Sequence, residues 1–346
     1  MVLLAAAAAQ FGRDLDFDLD RVASIVAAAR RAGAGLLVLP DGTLGGYLND
    51  LREPRITPEP DAVGSDVVGG GAAVLAAAGT DELPPALAAD DPVFDRLADL
   101  AGDLVLCLGY RERVGALTYN AAVCLSGAGV HGRHRKVHLA PGERVSYASG
   151  DRFAAFDTPV GRLGMLIDYD KTFPEAARAL AEDGAVVLAC LSAWPASLTD
   201  PARRVVKDRQ ARLFDLYDCA RAAENQVVLV SANQTGRGGA LTFLGNAKVV
   251  GPGGDIRART WQKAGLAMAE VDLTAEVSRA RRVLHHLAER RPAAYRTGEA
   301  LSAGEALSAG EALSTGEALS AGAVPRAGEP LSVVESLPVD EPLRVD

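Results

Sequence analysis

Along residues 1–295, short apolar runs alternate with stretches in which apolar residues recur every three or four positions. That alternation predicts a layered α/β domain. Residues 2–9, Val-Leu-Leu followed by five alanines, read as a buried first strand. Residues 19–33 keep helical spacing and stop at Gly33, and Leu36 to Leu39 form a second strand ending at Pro40-Asp41. Further strands are predicted at 103–109, 118–125, 161–168, 186–191 and 227–232, with helices at about 174–183 and 200–224. Thr242 to Val250, a turn at Gly251-Pro-Gly-Gly and Ala267 to Val271 suggest a closing antiparallel meander.

Two segments break the rhythm. Residues 51–92 are rich in Pro, Gly, Ala and Asp, and read as a lid over a site or as a surface loop. After Tyr295, Gly-Glu-Ala-Leu-Ser recurs at 298, 304, 310 and 316, with a decayed copy at 328. One leucine per six residues buries too little surface to offset chain ordering, so residues 296–346 are expected to be a flexible, disordered tail. A stack of such hexads is too short to make a solenoid.

Composition narrows the function. Apolar residues make up 49% of the 346-residue chain, and the net charge is −9. No basic stripe is visible, so nucleic acid is not an expected partner. No apolar run approaches the roughly 20 residues of a membrane span. The N-terminal apolar run has no positive flank and suits a buried strand better than a signal peptide. Four cysteines without CxxC spacing (Cys107, Cys124, Cys190, Cys219) suggest reduced thiols in a cytoplasmic protein.

The candidate chemistry lies in four segments. Leu36-Leu-Val-Leu-Pro40-Asp41 leads to Gly46-Tyr47, and Arg135-Lys136-Val137-His138-Leu139 is followed by Glu143 and Gly150-Asp151. Gly161-Arg-Leu-Gly-Met-Leu-Ile-Asp168-Tyr-Asp170 runs into Phe173-Pro174-Glu175, and Cys190-Leu-Ser192-Ala-Trp194-Pro195 ends another apolar run. Together these resemble the nitrilase superfamily of carbon–nitrogen hydrolases over about residues 2–295. The resemblance implies a four-layer αββα sandwich and a Glu–Lys–Cys triad supported by a second Glu. It also implies homodimers or larger homo-oligomers, a small-molecule substrate, and no metal or cofactor.

Carried over by position, Lys136 is the oxyanion-stabilising cation and Glu143 the supporting acid; Tyr47, Ser192 and Trp194 are substrate-binding. Two positions depart from the pattern. Asp168 stands where the family has its cysteine, and Asp41 where it has its glutamate base. A carboxylate is a poor nucleophile toward an amide, and Asp41 is one methylene shorter than the usual base. Three readings follow. The first is non-covalent acid–base chemistry on a small amide-, carboxylate- or amine-bearing molecule, with Asp168 and Glu143 as the acid–base pair. The others are a catalytically inactive binding or regulatory protein, and a conventional amidase or nitrilase served by another residue. Cys190 reads as a buried core thiol. His131, His134 and His138 do not converge as metal ligands, and Gly69-Gly-Gly and Gly236-Arg-Gly-Gly lack the context of a phosphate cradle.

Overall fold

The structure is a computed structural model that describes residues 1–51 and 83–295. The chain opens with β1 (Val2–Ala9), α1 (Leu15–Arg31) and β2 (Ala34–Val38). Beyond the insertion come β3 (Ala86–Leu87), α2 (Val93–Ala101), β4 (Val105–Val114), β5 (Leu117–Ser126) and β6 (Gly129–Arg135). Next are β7 (Phe156–Thr158), β8 (Gly161–Ile167), α3 (Pro174–Glu182), β9 (Val187–Ser192) and α4 (Arg209–Asn225). The last part holds β10 (Val228–Gly238), β11 (Leu241–Leu244), β12 (Lys248–Val250), β13 (Ile256–Arg259), β14 (Gly265–Val271) and α5 (Leu273–Ala280).

The strands order as β6-β5-β4-β2-β1 and β10-β9-β8-β7, and β1 and β10 join the two halves only through Ala8–Asn233 and Ala9–Gln234. Side-chain parity turns this into four layers. Ala5, Ala7 and Ala9 of β1 pack with Val22 and Val26 of α1 and Leu97 of α2, whereas Leu4, Ala6 and Ala8 face inward. There they meet Met165 and Ile167 of β8, Ala189 of β9 and Val230 of β10. The outer face of that second half, with Leu166, Leu188 and Leu229, is covered by Ala176 and Leu180 of α3 and Ala222 of α4. The order is therefore helix, sheet, sheet, helix. Strands buried on both faces explain why β1 reads as an unbroken apolar run instead of an alternating one. Alanines on both its faces let the layers approach closely.

Boundaries moved where caps decide them. α1 begins at Leu15 because Asp14 caps it, its carboxylate accepting from Phe17 N at 3.1 Å. α4 starts at Arg209, nine residues later than its spacing suggested. Asp208 caps it and also accepts from Ser197 N and Ala202 N, gathering the preceding loop around one carboxylate. α2, α5, β3, β7 and β13 are additional to the predicted elements. Of the expected 51–92 insertion, residues 52–82 lie outside the described residues, as does the 296–346 tail. Residues 1–290 form one compact unit; of the second, residues 291–346, one 3-10 turn at Pro292–Ala294 is described.

Candidate active site

Parallel strands within each half send their C-terminal ends toward one place, the usual location of ligand sites in α/β folds. β2 delivers Asp41, β8 delivers Asp168, β9 delivers Ser192 and Trp194, and the end of β6 delivers Lys136. The turn after β2 runs so close to β4 that a Cβ on Gly109 would lie 2.7 Å from Asp41 Cα. Asp168 follows β8 with φ at 48°, in the left-handed region. That costs a non-glycine residue roughly 1–2 kcal/mol, and the surrounding contacts hold it there.

Lys136 is fully buried at the centre. Its Nζ lies 2.8 and 2.7 Å from the two oxygens of Glu143 and 3.3 Å from Asp168 Oδ2. Glu143 Oε1 also accepts from Tyr47 OH at 2.8 Å and Asn120 Nδ2 at 3.2 Å, while Oε2 accepts from Ala140 N at 2.7 Å. Both its oxygens are therefore occupied. Asn120 bridges, since the same Nδ2 donates to Asp41 Oδ2 at 2.9 Å. Asp168 is only 4% exposed, yet its Oδ1 has no hydrogen-bond partner among the described residues.

Three carboxylates around one ammonium cannot all ionise freely. Burial pushes the Asp41 pKa up to about 8; Lys136 opposes this, and Asp168 and Glu143 add to it. Asp168 is raised as well, first by burial and with Lys136 pulling it back. For Lys136, burial alone acts downward, but Glu143, Asp168 and Asp41 together outweigh it and the ammonium is strengthened.

A second carboxylate fixes the frame. Asp170 Oδ1 accepts from Val137 N, His138 N and His138 Nδ1 at 3.2, 2.9 and 3.0 Å. Its Oδ2 meets His134 Nε2 at 3.1 Å and Ile167 N at 3.2 Å. Those backbone amides flank Lys136 and Asp168 in the chain, so Asp170 ties the lysine loop to the end of β8. These contacts hold its pKa down at about 2 despite burial. They also explain His134 and His138, while His131 pairs with Ser126 Oγ at 2.8 Å. No group of metal-ligating side chains is present among the described residues.

Asp168 opens into a cleft of about 300 Å³ whose walls include Leu51, Ala140, Tyr169, Trp194, Leu198 and Arg209. A larger, mostly apolar groove of about 550 Å³ between α1 and β14 shares no residue with the charged cluster. Trp194 Nε1 donates to Gln210 Oε1 at 3.0 Å at the cleft wall. Tyr47 spends its hydroxyl on Glu143. The Ser192 side chain lies beneath the cleft, 3.7 Å from Cys190 Sγ, and its carbonyl accepts from Asp41 N. Cys190 is fully buried, and desolvation pushes its thiol up to about 12. None of the four cysteines lines the cleft. Sequence reasoning passed over Asn120, Asp170, Arg209 and Gln210 as site residues. Only Asp170 stood inside one of the motifs read from the sequence, where a role could have been asked of it.

A family profile described as carbon–nitrogen hydrolase matches residues 3–281. Among curated proteins, a probable nitrilase of Schizosaccharomyces pombe is 33% identical over 194 residues, 54% of this chain and 67% of that protein. An (R)-stereoselective amidase of a Pseudomonas species is 34% identical over 190 residues, 55% of this chain and 65% of the relative. The human deaminated glutathione amidase is 34% identical over 189 residues, 51% and 54% of the two chains. The matched stretch thus spans about half to two thirds of these relatives. Among solved structures, an amidase from Nesterenkonia sp. AN1 superposes with a TM-score of 0.64 at 22% identity, covering 86% of this chain and 99% of that one. At that identity the likeness establishes the fold alone.

Proposed function

This chain belongs to the carbon–nitrogen hydrolase family, and we propose that it hydrolyses the C–N bond of a small amide by acid–base chemistry, with water as the nucleophile. One observation carries the reading: two buried carboxylates belong to one charged cluster but differ in partner. Asp168 sits against the Lys136 ammonium, whereas among the described residues the Asp41 carboxylate accepts only from the Asn120 amide. Two carboxyl groups held against different partners are how one site can supply both a base and an acid.

In this reading Asp168 takes a proton from water as the water oxygen bonds to the amide carbon. Lys136 donates one proton toward Glu143 and one toward Asp168, leaving its third for the oxyanion that develops on the amide oxygen. Asp41, protonated below about pH 8, gives its proton to the departing nitrogen. The C–N bond breaks and a carboxylic acid and an amine are released. Glu143 is better placed to hold Lys136 than to move protons, because both its oxygens already accept hydrogen bonds. Relatives named as amidases and a nitrilase support a C–N bond as the target.

A second reading is a catalytically inactive binding protein, supported by the same Lys136–Asp168 ion pair, in which each charge neutralises the other. A panel of small amides assayed with the wild type and Asp168→Asn separates the two. Asp168→Asn is expected to lower turnover by about 10²–10⁴, the usual worth of a positioned base, while ligand affinity stays within a few-fold. Absence of turnover with retained binding points to the second reading. Inactivation by a thiol-alkylating reagent argues instead for conventional amidase chemistry by another residue. Asp168→Cys combined with Asp41→Glu tests whether the pocket still supports covalent hydrolysis.

A further inference from the structure

The cleft has two chemically different ends. At the inner end Asp168 lines the cleft, and its buried Oδ1 has no hydrogen-bond partner among the described residues. A buried acceptor in that state is completed by a ligand N–H. The middle is apolar, with Trp194, Pro195, Ala196 and Leu198. At the outer end stands the exposed Arg209, whose guanidinium makes no hydrogen bond or ion pair among the described residues. Arg209 is not isolated. Arg203, Arg204, Lys207 and Arg212 are exposed on the same segment, and their side chains are likewise unpaired there. The nearby acids do not balance them. Asp208 is buried and spends its carboxylate on backbone amides of Ser197, Ala202 and Gln210, leaving Asp200 as the one exposed acid between 200 and 212. In a chain of net charge −9, this is a local reversal of sign on the segment that carries Arg209.

We infer that the outer end of the cleft is an anion subsite centred on Arg209, and that the preferred ligand is a small amide whose far end carries a carboxylate or phosphate-like group. This inference rests on the amide reading of the cleft, in which the scissile amide lies beside Asp168. Arg209 presents a planar fork suited to an oxyanion, and the flanking cations draw anions to the mouth against the field of the rest of the chain.

Ligand-observed NMR on the full chain reads affinity and hydrolysis in the same sample. The probes are glutaramate, 3-phosphonopropionamide and the neutral amide pentanamide. At low salt at least one charged amide is expected to bind about five- to tenfold tighter than pentanamide, the worth of a partly enclosed charged hydrogen bond. The margin should shrink at about 0.5 M salt. Whichever charged probe binds tighter identifies the tail. Arg209→Gln should bring the charged-to-neutral ratio to about one, and Arg209→Lys should keep part of it. Equal affinity for charged and neutral amides, a ratio unchanged in Arg209→Gln, or no binding of any probe would overturn the subsite. Arg209-dependent binding with no hydrolysis of any amide leaves the subsite standing and removes the hydrolytic reading instead.

Discussion

At the scale of single residues, the site is governed by how many charges share one small volume. Lys136 would be an expensive buried ion alone; with Glu143 and Asp168 in contact it is held as an ammonium. Burial, with Asp168 and Glu143 adding to it, keeps Asp41 protonated to about pH 8. If Asp41 is the acid, kcat/KM for an amide substrate should be sustained below that pH and fall above it. Asp41→Asn should lower the plateau by about 10²–10⁴ and abolish that alkaline limb. A wild-type profile that keeps rising past pH 9 would exclude Asp41 as the proton donor.

Elements act through a few long-range polar joints. Asp170, two residues beyond Asp168, joins the loop after β6 to the end of β8 through five contacts. Asp170→Asn replaces one acceptor oxygen by a donor facing donors, and is expected to cost about 2–4 kcal/mol in urea unfolding. α4 makes a similar joint on the other side. Asp218 lies between two buried lysines, 2.8 Å from Lys171 Nζ and 2.7 Å from Lys248 Nζ, and Arg221 holds the carbonyls of Lys171 and Thr172. Phe214 of α4 stacks beneath both ammoniums. Asp218→Asn leaves buried Lys171 without its carboxylate and Lys248 with Asp215 alone, and should cost about 3–5 kcal/mol at neutral pH. The cost should shrink in alkali, because burial holds the Lys248 pKa below its ordinary value, so it sheds its proton sooner.

For the whole molecule, these groups couple stability to pH. Asp41 and Asp18 keep their protons in the folded chain to about pH 8 and about pH 6, both above the ordinary 3.8. Between pH 4 and those values the unfolded chain has lost protons that the folded chain retains. Their contribution is therefore complete below about pH 4 and is lost as pH rises through the folded values. Urea melts across pH 5–9 should show less decline in Asp41→Asn than in the wild type; parallel curves would mean that Asp41 is ionised in the fold. Asp170 works oppositely: its contribution is present above the ordinary value and fades as pH falls toward about 2.

The sequence alone determined the family resemblance and the order of buried strands, because a strand covered on both faces must be apolar throughout. β1, with its run of alanines, is the clear case. It also named four residues from separated segments, Asp41, Lys136, Glu143 and Asp168, and these lie together in the fold. What each of them does was a tertiary decision. Glu143 is taken up by Lys136, Tyr47 and the Ala140 amide, and Ser192 turns toward Cys190 and away from the cleft. Asn120 becomes the bridge between two acids, and Arg209 arrives at the cleft only because Asp208 delays the start of α4. Apolar periodicity is local and survives in a one-dimensional reading. A buried polar atom takes whichever partner the converging strand ends bring within about 3 Å, and several of those partners, such as Tyr47 for Glu143 and Asn120 for Asp41, stand tens of residues away in the chain.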